Sequence, residues 1–167
     1  GDTDNVSELV IQPYDPGGDM SVGVESGGVN FGNTDILALA EGFENIFVGA
    51  YNGTGTISIN ATAAFKDPTF FRAPFAGGEI SVSGNGITGS DEDTADGSLL
   101  VFDSRNIRVG TTTFMTDSQD ILLISGASFQ RLQAANDDAL IDTVSDNLRA
   151  DAIGDNGTSG DGLATVT

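Results

Sequence analysis

The chain has 167 residues and a formal net charge of −19, from 25 Asp plus Glu against 6 Lys plus Arg. This imbalance excludes a nucleic-acid binder, because neutralising phosphates takes clustered basic side chains, and it disfavours an anionic membrane surface. The absence of Cys and His excludes disulfides, thiol nucleophiles, Cys/His zinc sites and a Ser-His-Asp triad. No apolar run reaches the roughly 18 residues of a transmembrane helix, so we expect no membrane insertion.

A short helix is predicted over residues 34–42, as a lateral decoration or an end cap. Thr34 can cap it, Asp35 favours its positive end, and Gly42 can end it.

Short β-rich runs follow at regular spacing along the rest of the chain. Their anchors are Ile57, Ile80, Leu100, Leu122, Leu140 and Leu163, separated by 23, 20, 22, 18 and 23 residues. A second apolar run trails each of the first five anchors by seven or eight residues. A period near 20 is typical of solenoids, and two short strands followed by a Gly- or Asp-rich turn predict a rung of a parallel β-helix. Spacing alone leaves an antiparallel sandwich as the alternative.

Strand alternation predicts which side chains point into the coil. The expected inward pairs are Ile57 with Ile59, Ile80 with Val82, and Leu99 with Val101. Four phenylalanines near two prolines are expected to stack in the core at a corner of the coil, with a hydrophobic partner patch as the alternative. They are Phe65, Phe70, Phe71 and Phe75.

The second half of the chain is less regular. Residues 129–153 carry a helical spacing of apolar residues, but turn-forming Asn and Asp residues at 136–138 and 146–147 favour continued rungs. We therefore predict a single β-helical domain over 1–153. Residues 154–167 are expected to form a Gly/Asp-rich turn and a final strand, either separate or part of the same solenoid.

Two phrases in the middle of the chain carry a family resemblance. Residues 49–57 are GAYNGTGTI and residues 65–74 are FKDPTFFRAP. They resemble the repeat region of filamentous-haemagglutinin-like large bacterial exoproteins, where phrases similar to GFxxIxIGRADGTGTI and FxDPVTLxAP recur. The similarity spans about residues 9–110, and Ala50-Tyr51-Asn52 stands where the family usually has Arg-Ala-Asp. The resemblance implies a right-handed β-helical stalk in secreted or cell-surface proteins that act in adhesion, without catalysis.

Clustered carboxylates suggest a calcium site. Asp91, Asp93 and Asp96 precede Gly97 in a spacing close to that of calcium-binding turns, where oxygen ligands converge around a bend. A second and weaker candidate combines Asp155, Asn156 and Asp161. The alternative in each case is a solvated turn between rungs.

An enzyme remains an alternative because β-helices also host polysaccharide hydrolases and lyases that need no His. The candidate residues are Asp67, Asp103, Arg105 and Arg108, some of which strand alternation could bring to one face. The simpler interpretation is a surface ion pair.

The sequence therefore predicts a non-catalytic structural or adhesive module, extracellular or at the cell surface, with structural Ca²⁺ as a candidate cofactor. Its expected partner is a surface glycan or a protein receptor. The first alternative is a subunit of a self-assembling extracellular filament, which would bind like subunits. The second is a polysaccharide-acting β-helix enzyme.

Overall fold

A computed structural model describes residues 7–26, 28–90, 98–110, 112, 114–116, 121–131 and 148–151. This part of the chain is mostly parallel β-structure with a curled sheet and one short helix. In chain order the elements are β1 (Glu8–Ile11), β2 (Met20–Gly23), β3 (Val29–Gly32), α1 (Asn33–Ala38), β4 (Asn45–Gly49), β5 (Thr56–Ile59), β6 (Ala64–Phe65), β7 (Thr69–Ala73), β8 (Glu79–Val82), β9 (Ile87–Gly89), β10 (Leu100–Val109), β11 (Phe114–Thr116), β12 (Ile121–Arg131) and β13 (Leu148–Asp151).

The strands form three parallel ladders. Ladder A runs β1-β4-β7-β10-β12-β13 and uses the first halves of β10 and β12. Ladder B runs β3-β2-β5-β8-β10-β12 and uses the second halves of the same two long strands. Ladder C is the separate sheet β6-β9-β11. From β4 onward the chain visits A, B and C in turn, so each pass adds one strand to every ladder until β12.

The repeat prediction is confirmed in part. Ile57 pairs with Ile80 in ladder B, at the predicted spacing of 23. Leu100, however, lies in ladder A opposite Thr69, and the ladder B partner of Ile80 is Ile107. The two apolar runs assigned to separate strands at Leu100 and Ile107 belong to one continuous strand, β10. The anchors Leu140 and Leu163, and the domain boundary at 153–154, lie outside the described residues.

The core is filled from all three ladders by aliphatic side chains and a chain of phenylalanine rings. Successive ring centroids are 6.1, 5.7, 5.1 and 5.3 Å apart. In order the rings are Phe31, Phe65, Phe71, Phe102 and Phe114. Each is at most 6% exposed, so this row contributes strongly to burial.

Two of the four clustered phenylalanines and one inward pair are corrected. Phe70 and Phe71 are consecutive in β7 and so face opposite sides: Phe71 is in the core, and Phe70 packs on Phe47 outside it. Phe75 is 52% exposed in the loop after β7. The predicted pair Leu99 and Val101 is out of phase by one residue, because Leu100 and Phe102 are the residues of this part of β10 that join the core cluster. Val101 is nevertheless buried, at 5% exposed.

The predicted helix is present but shorter. It begins one residue earlier, at Asn33, and ends at Ala38, so Thr34 lies inside it and Gly42 does not terminate it. Asp35 lies in the first turn, and its carboxylate accepts a hydrogen bond from the N–H of Gly32 at 2.9 Å. Ile36, 3% exposed, joins the core, and α1 packs against β2, β3 and β6. The helix thus covers the core beside the first strand of ladder C.

Candidate binding surface

Ladders A and B present different chemistry on their outer faces. The outward row of ladder A is apolar in five successive strands, whereas the corresponding row of ladder B is polar. The apolar row, here called the apolar stripe, consists of Val10, Phe47, Phe70, Val101 and Leu122. The polar row consists of Asn30, Ser21, Ser58, Ser81 and Arg108. Val10 is 53% exposed, Phe47, Phe70 and Leu122 are half-buried, and Val101 is 5% exposed. In the polar row Ser21 is also buried, at 0% exposed. The accessible apolar side chains of the stripe mark the ladder A face as the candidate binding surface.

Arg72 lies at one border of the apolar stripe. Its guanidinium carbon is 3.9 Å from the ring centroid of Phe47 and 5.4 Å from that of Phe70, and the two rings are 5.2 Å apart. A cation over an aromatic face is held by the ring quadrupole, which fixes this long side chain against the sheet.

Asp103 is the register partner of Arg72 on the neighbouring strand. Burial raises the pKa of the Asp103 carboxyl above its ordinary value of 3.8, and the positive charge of Arg72 offsets part of that rise. The two side chains carry opposite charges and are both half-buried.

Three consecutive loops between ladders A and B each carry an exposed aromatic ring. Tyr14 lies in the β1–β2 loop, Tyr51 in the β4–β5 loop and Phe75 in the β7–β8 loop. Their relative exposures are 106%, 73% and 52%, and they are the exposed aromatic residues of the described part. Both tyrosines of the chain are among them. We call this row the aromatic corner.

The loops of the aromatic corner are tied to one another through their backbones. The N–H of Thr54 donates to the carbonyl of Pro16 at 2.9 Å, and the N–H of Phe75 donates to that of Gly53 at 3.0 Å. A Cβ added at Gly55 would clash with the carbonyl oxygen of Gly18, so neighbouring loops touch. The aromatic rings therefore project from a fixed backbone.

A shallow crevice lies beside two of the loops that carry the aromatic corner. It is lined by residues of the β1–β2 and β4–β5 loops, among them Pro13 and Ala50, and by Arg72 and Ala73 at the end of β7. Arg72 therefore borders this crevice and, through Phe47 and Phe70, the apolar stripe.

The residues proposed for polysaccharide chemistry are not brought together. Asp67 is 5% exposed and precedes β7, where one carboxylate oxygen accepts a hydrogen bond from the N–H of Gly42 at 2.9 Å. Asp103 is the register partner of Arg72, and Arg72 lies five residues after Asp67. Along extended chain this separation places Asp103 about 16 Å from Asp67.

The two arginines of that candidate set have separate partners. Arg105 donates from Nη1 to the carbonyl of Gly126 at 3.2 Å. Arg108 pairs with Glu79 on ladder B, with Nε and Oε2 3.2 Å apart. The described residues therefore hold these four side chains at distinct positions.

Asp91, Asp93 and Asp96 lie outside the described residues, as do Asp155, Asn156 and Asp161. Within the part of the chain that the structure describes, no group of three or more Asp or Glu side chains could hold a metal ion.

The chain matches no family model, no curated protein and no solved structure. The likeness to filamentous-haemagglutinin-like exoproteins therefore rests on the two sequence phrases alone. Among the described residues there is no helix with the length and hydropathy needed to cross a membrane.

Sequence reasoning missed the aromatic corner and Arg72. A usable signal was present for the corner, because Tyr14 and Tyr51 are the only tyrosines and both lie within turn-forming Pro, Gly and Asn residues. The pairing of Arg72 with Phe47 had no such signal, since it depends on the register between β4 and β7.

Proposed function

We propose that the chain is a non-catalytic structural and adhesive module, built as a right-handed parallel β-helix, of a secreted or cell-surface protein. The observation that carries the proposal is the recurrence of ladders A, B and C in the same order on successive passes of the chain. A right-handed coil is supported by the strong preference of parallel β connections for that hand.

The outer surface supports a binding role for this module. The apolar stripe lies on the outer face of ladder A, and the aromatic corner lies in the loops that follow three strands of this ladder, on a backbone fixed by parallel pairing. A rigid surface loses little conformational entropy when a partner docks, so such a scaffold suits adhesion. Secretion and the filamentous-haemagglutinin-like relationship are supported by the two sequence phrases, and the acidic composition without Cys agrees with a calcium-containing exterior.

Adhesion is tested with beads that carry the purified chain. Coated beads should be retained on a cell monolayer or a biofilm under flow, whereas beads carrying an unrelated protein of equal net charge should wash off. Equal loss of both bead types would refute the adhesive function.

A self-assembling filament is the second candidate. Within the described residues, β1 pairs only with β4 and β3 only with β2, so both strands leave one edge unpaired. Open edges of parallel ladders can pair with another copy. Growth of filaments with protein concentration, seen by size-exclusion chromatography and negative-stain microscopy, would favour this candidate, and a monomer at all concentrations would exclude it.

A further inference from the structure

We propose that the aromatic corner binds a neutral polysaccharide by stacking sugar rings on Tyr14, Tyr51 and Phe75. This inference rests on the proposed adhesive function and names the class of its partner. The corner holds both tyrosines of the chain and the most exposed phenylalanine of the described part. Exposed aromatic rings in three successive loops are unexpected in a chain with only 12 aromatic residues, and burial cannot explain them.

The geometry suits flat ligands. Loops joined by backbone hydrogen bonds lie about 4.8 Å apart, so the three rings follow one another along an edge of the molecule. Tyr14 is fully exposed and Tyr51 is 73% exposed, which means that these rings protrude from a ridge and do not line a groove. A ridge of ring faces can stack against the C–H faces of successive sugars, since the negative aromatic face attracts the positive edge of a C–H group. Proline-rich peptides, by contrast, dock in aromatic-lined grooves.

The charge around the corner selects an uncharged partner. Asp15 and Asp19 lie in the same loop as Tyr14, and their carboxylates accept hydrogen bonds from the N–H groups of Gly17 and Thr56. The whole chain carries a net charge of −19, so polyanionic glycans and nucleic acids are repelled. Neutral sugars carry no charge and so avoid this electrostatic repulsion. Their hydroxyl groups can form hydrogen bonds with nearby polar side chains such as Asn52 and Thr54.

The tyrosines also provide the readout. The chain has no Trp, and both of its tyrosines lie in the corner, so tyrosine emission reports on this surface. We would titrate the full chain with soluble neutral β-glucan and α-glucan, follow the emission, and measure retardation in gels that contain each polymer. Alginate and a polyproline peptide serve as the anionic and peptide probes. The expected result is retardation and an emission change with at least one neutral glucan, at both low and high salt.

Variants locate the binding site. Tyr14→Ala and Tyr51→Ala should each weaken binding about 2- to 10-fold, the worth of one aromatic contact, and the double variant should weaken it about 4- to 100-fold. Tyr14→Phe and Tyr51→Phe keep the ring and should bind as the original chain does. Leu37→Ala, at a 69% exposed apolar residue on α1, is the control and should change nothing.

Several results would overturn the proposal: no retardation by any neutral glucan, unchanged binding by the double alanine variant, or binding only to alginate or polyproline. Adhesion of coated beads that survives the double variant would overturn the glycan assignment and leave the adhesive function standing. If beads coated with the original chain do not adhere, the adhesive function itself is refuted.

Discussion

The Oδ1 atom of Asn33 accepts a hydrogen bond from the backbone N–H of Ala63 at 2.9 Å, although the two residues are 30 positions apart. The same oxygen accepts the N–H of Thr62 at 2.8 Å, and Nδ2 donates to the carbonyl of Gly23 at 2.6 Å. In the described structure β6 pairs with β9 on one side and has no strand on the other. Asn33 binds the backbone of Thr62 and Ala63, the two residues that precede β6. The first residue of α1 thereby joins the helix to ladders B and C.

Asn33→Ala should therefore destabilise the N-terminal end of the fold. Ala63 is 5% exposed, and its N–H would lose its acceptor at a cost of about 1–3 kcal/mol. Asn33→Asp keeps the acceptor for Thr62 and Ala63 but sets a carboxylate oxygen against the carbonyl of Gly23, so it should also destabilise the fold. Urea unfolding measures both variants, and equal stability of Asn33→Ala and the original chain would contradict the role of this side chain.

Ile80→Ala tests the assignment of ladder B to the core. Ile80 is 0% exposed and lies between Ile57 and Ile107 in register, so truncation should cost about 2–5 kcal/mol through lost burial and a cavity. Ser81→Ala, one residue along on the outer face, is the matched control and should stay within about 0.5 kcal/mol. Similar unfolding midpoints for the two variants would show that the faces of β8 are assigned wrongly.

The sequence predicted parallel pairing, the helix near residue 34 and the inward position of Ile80, because these depend on local periodicity and on turn residues. It did not predict which strands are neighbours. The spacing pattern aligns Leu100 with Ile80, because each residue opens an apolar run. The loops between strands differ in length from one pass to the next, so a constant spacing in sequence does not identify the paired residue. Only the backbone pairing shows that Leu100 lies opposite Thr69.

The candidate binding surface could not be predicted for the same reason, since it depends on strand phase and strand pairing. Whether Phe70 or Phe71 faces the core depends on a phase that two adjacent apolar residues do not reveal, since both satisfy a hydrophobic pattern. The contact of Arg72 with Phe47 spans two strands and 25 residues of chain, so no local motif could indicate it. The acidic character of the protein was predictable, because it follows directly from the composition of the sequence.

Arg72 should control the titration of Asp103. Burial raises the pKa of Asp103 and the guanidinium lowers it, so Arg72→Gln should raise that pKa further, whereas Arg72→Lys keeps a positive charge and should raise it less. Titration of the Asp103 carboxyl carbon by NMR measures the shift. An unchanged or lower pKa in Arg72→Gln would contradict the pairing.

The raised pKa of Asp103 also fixes a sign for stability. Between 3.8, the ordinary value, and its higher folded value, the folded chain binds the proton more tightly than the unfolded chain. Stability from this group therefore falls as pH rises through that window. Asp103→Asn removes the contribution, so the difference in urea midpoint between variant and original should move in favour of the variant as pH rises. A difference that is constant with pH would refute this expectation.

Calcium should raise the melting temperature of the chain if Asp91, Asp93 and Asp96 bind it, because a ligand that binds only the folded state stabilises it by mass action. A net charge of −19 means that any salt reduces self-repulsion, so NaCl at equal ionic strength is the necessary control. We expect millimolar Ca²⁺ to exceed that control, and Asp91→Asn with Asp93→Asn to remove the excess. A melting temperature that is the same in chelator and in Ca²⁺, or a rise that NaCl reproduces, would mean that the acidic residues are screened by salt in general and hold no specific ion.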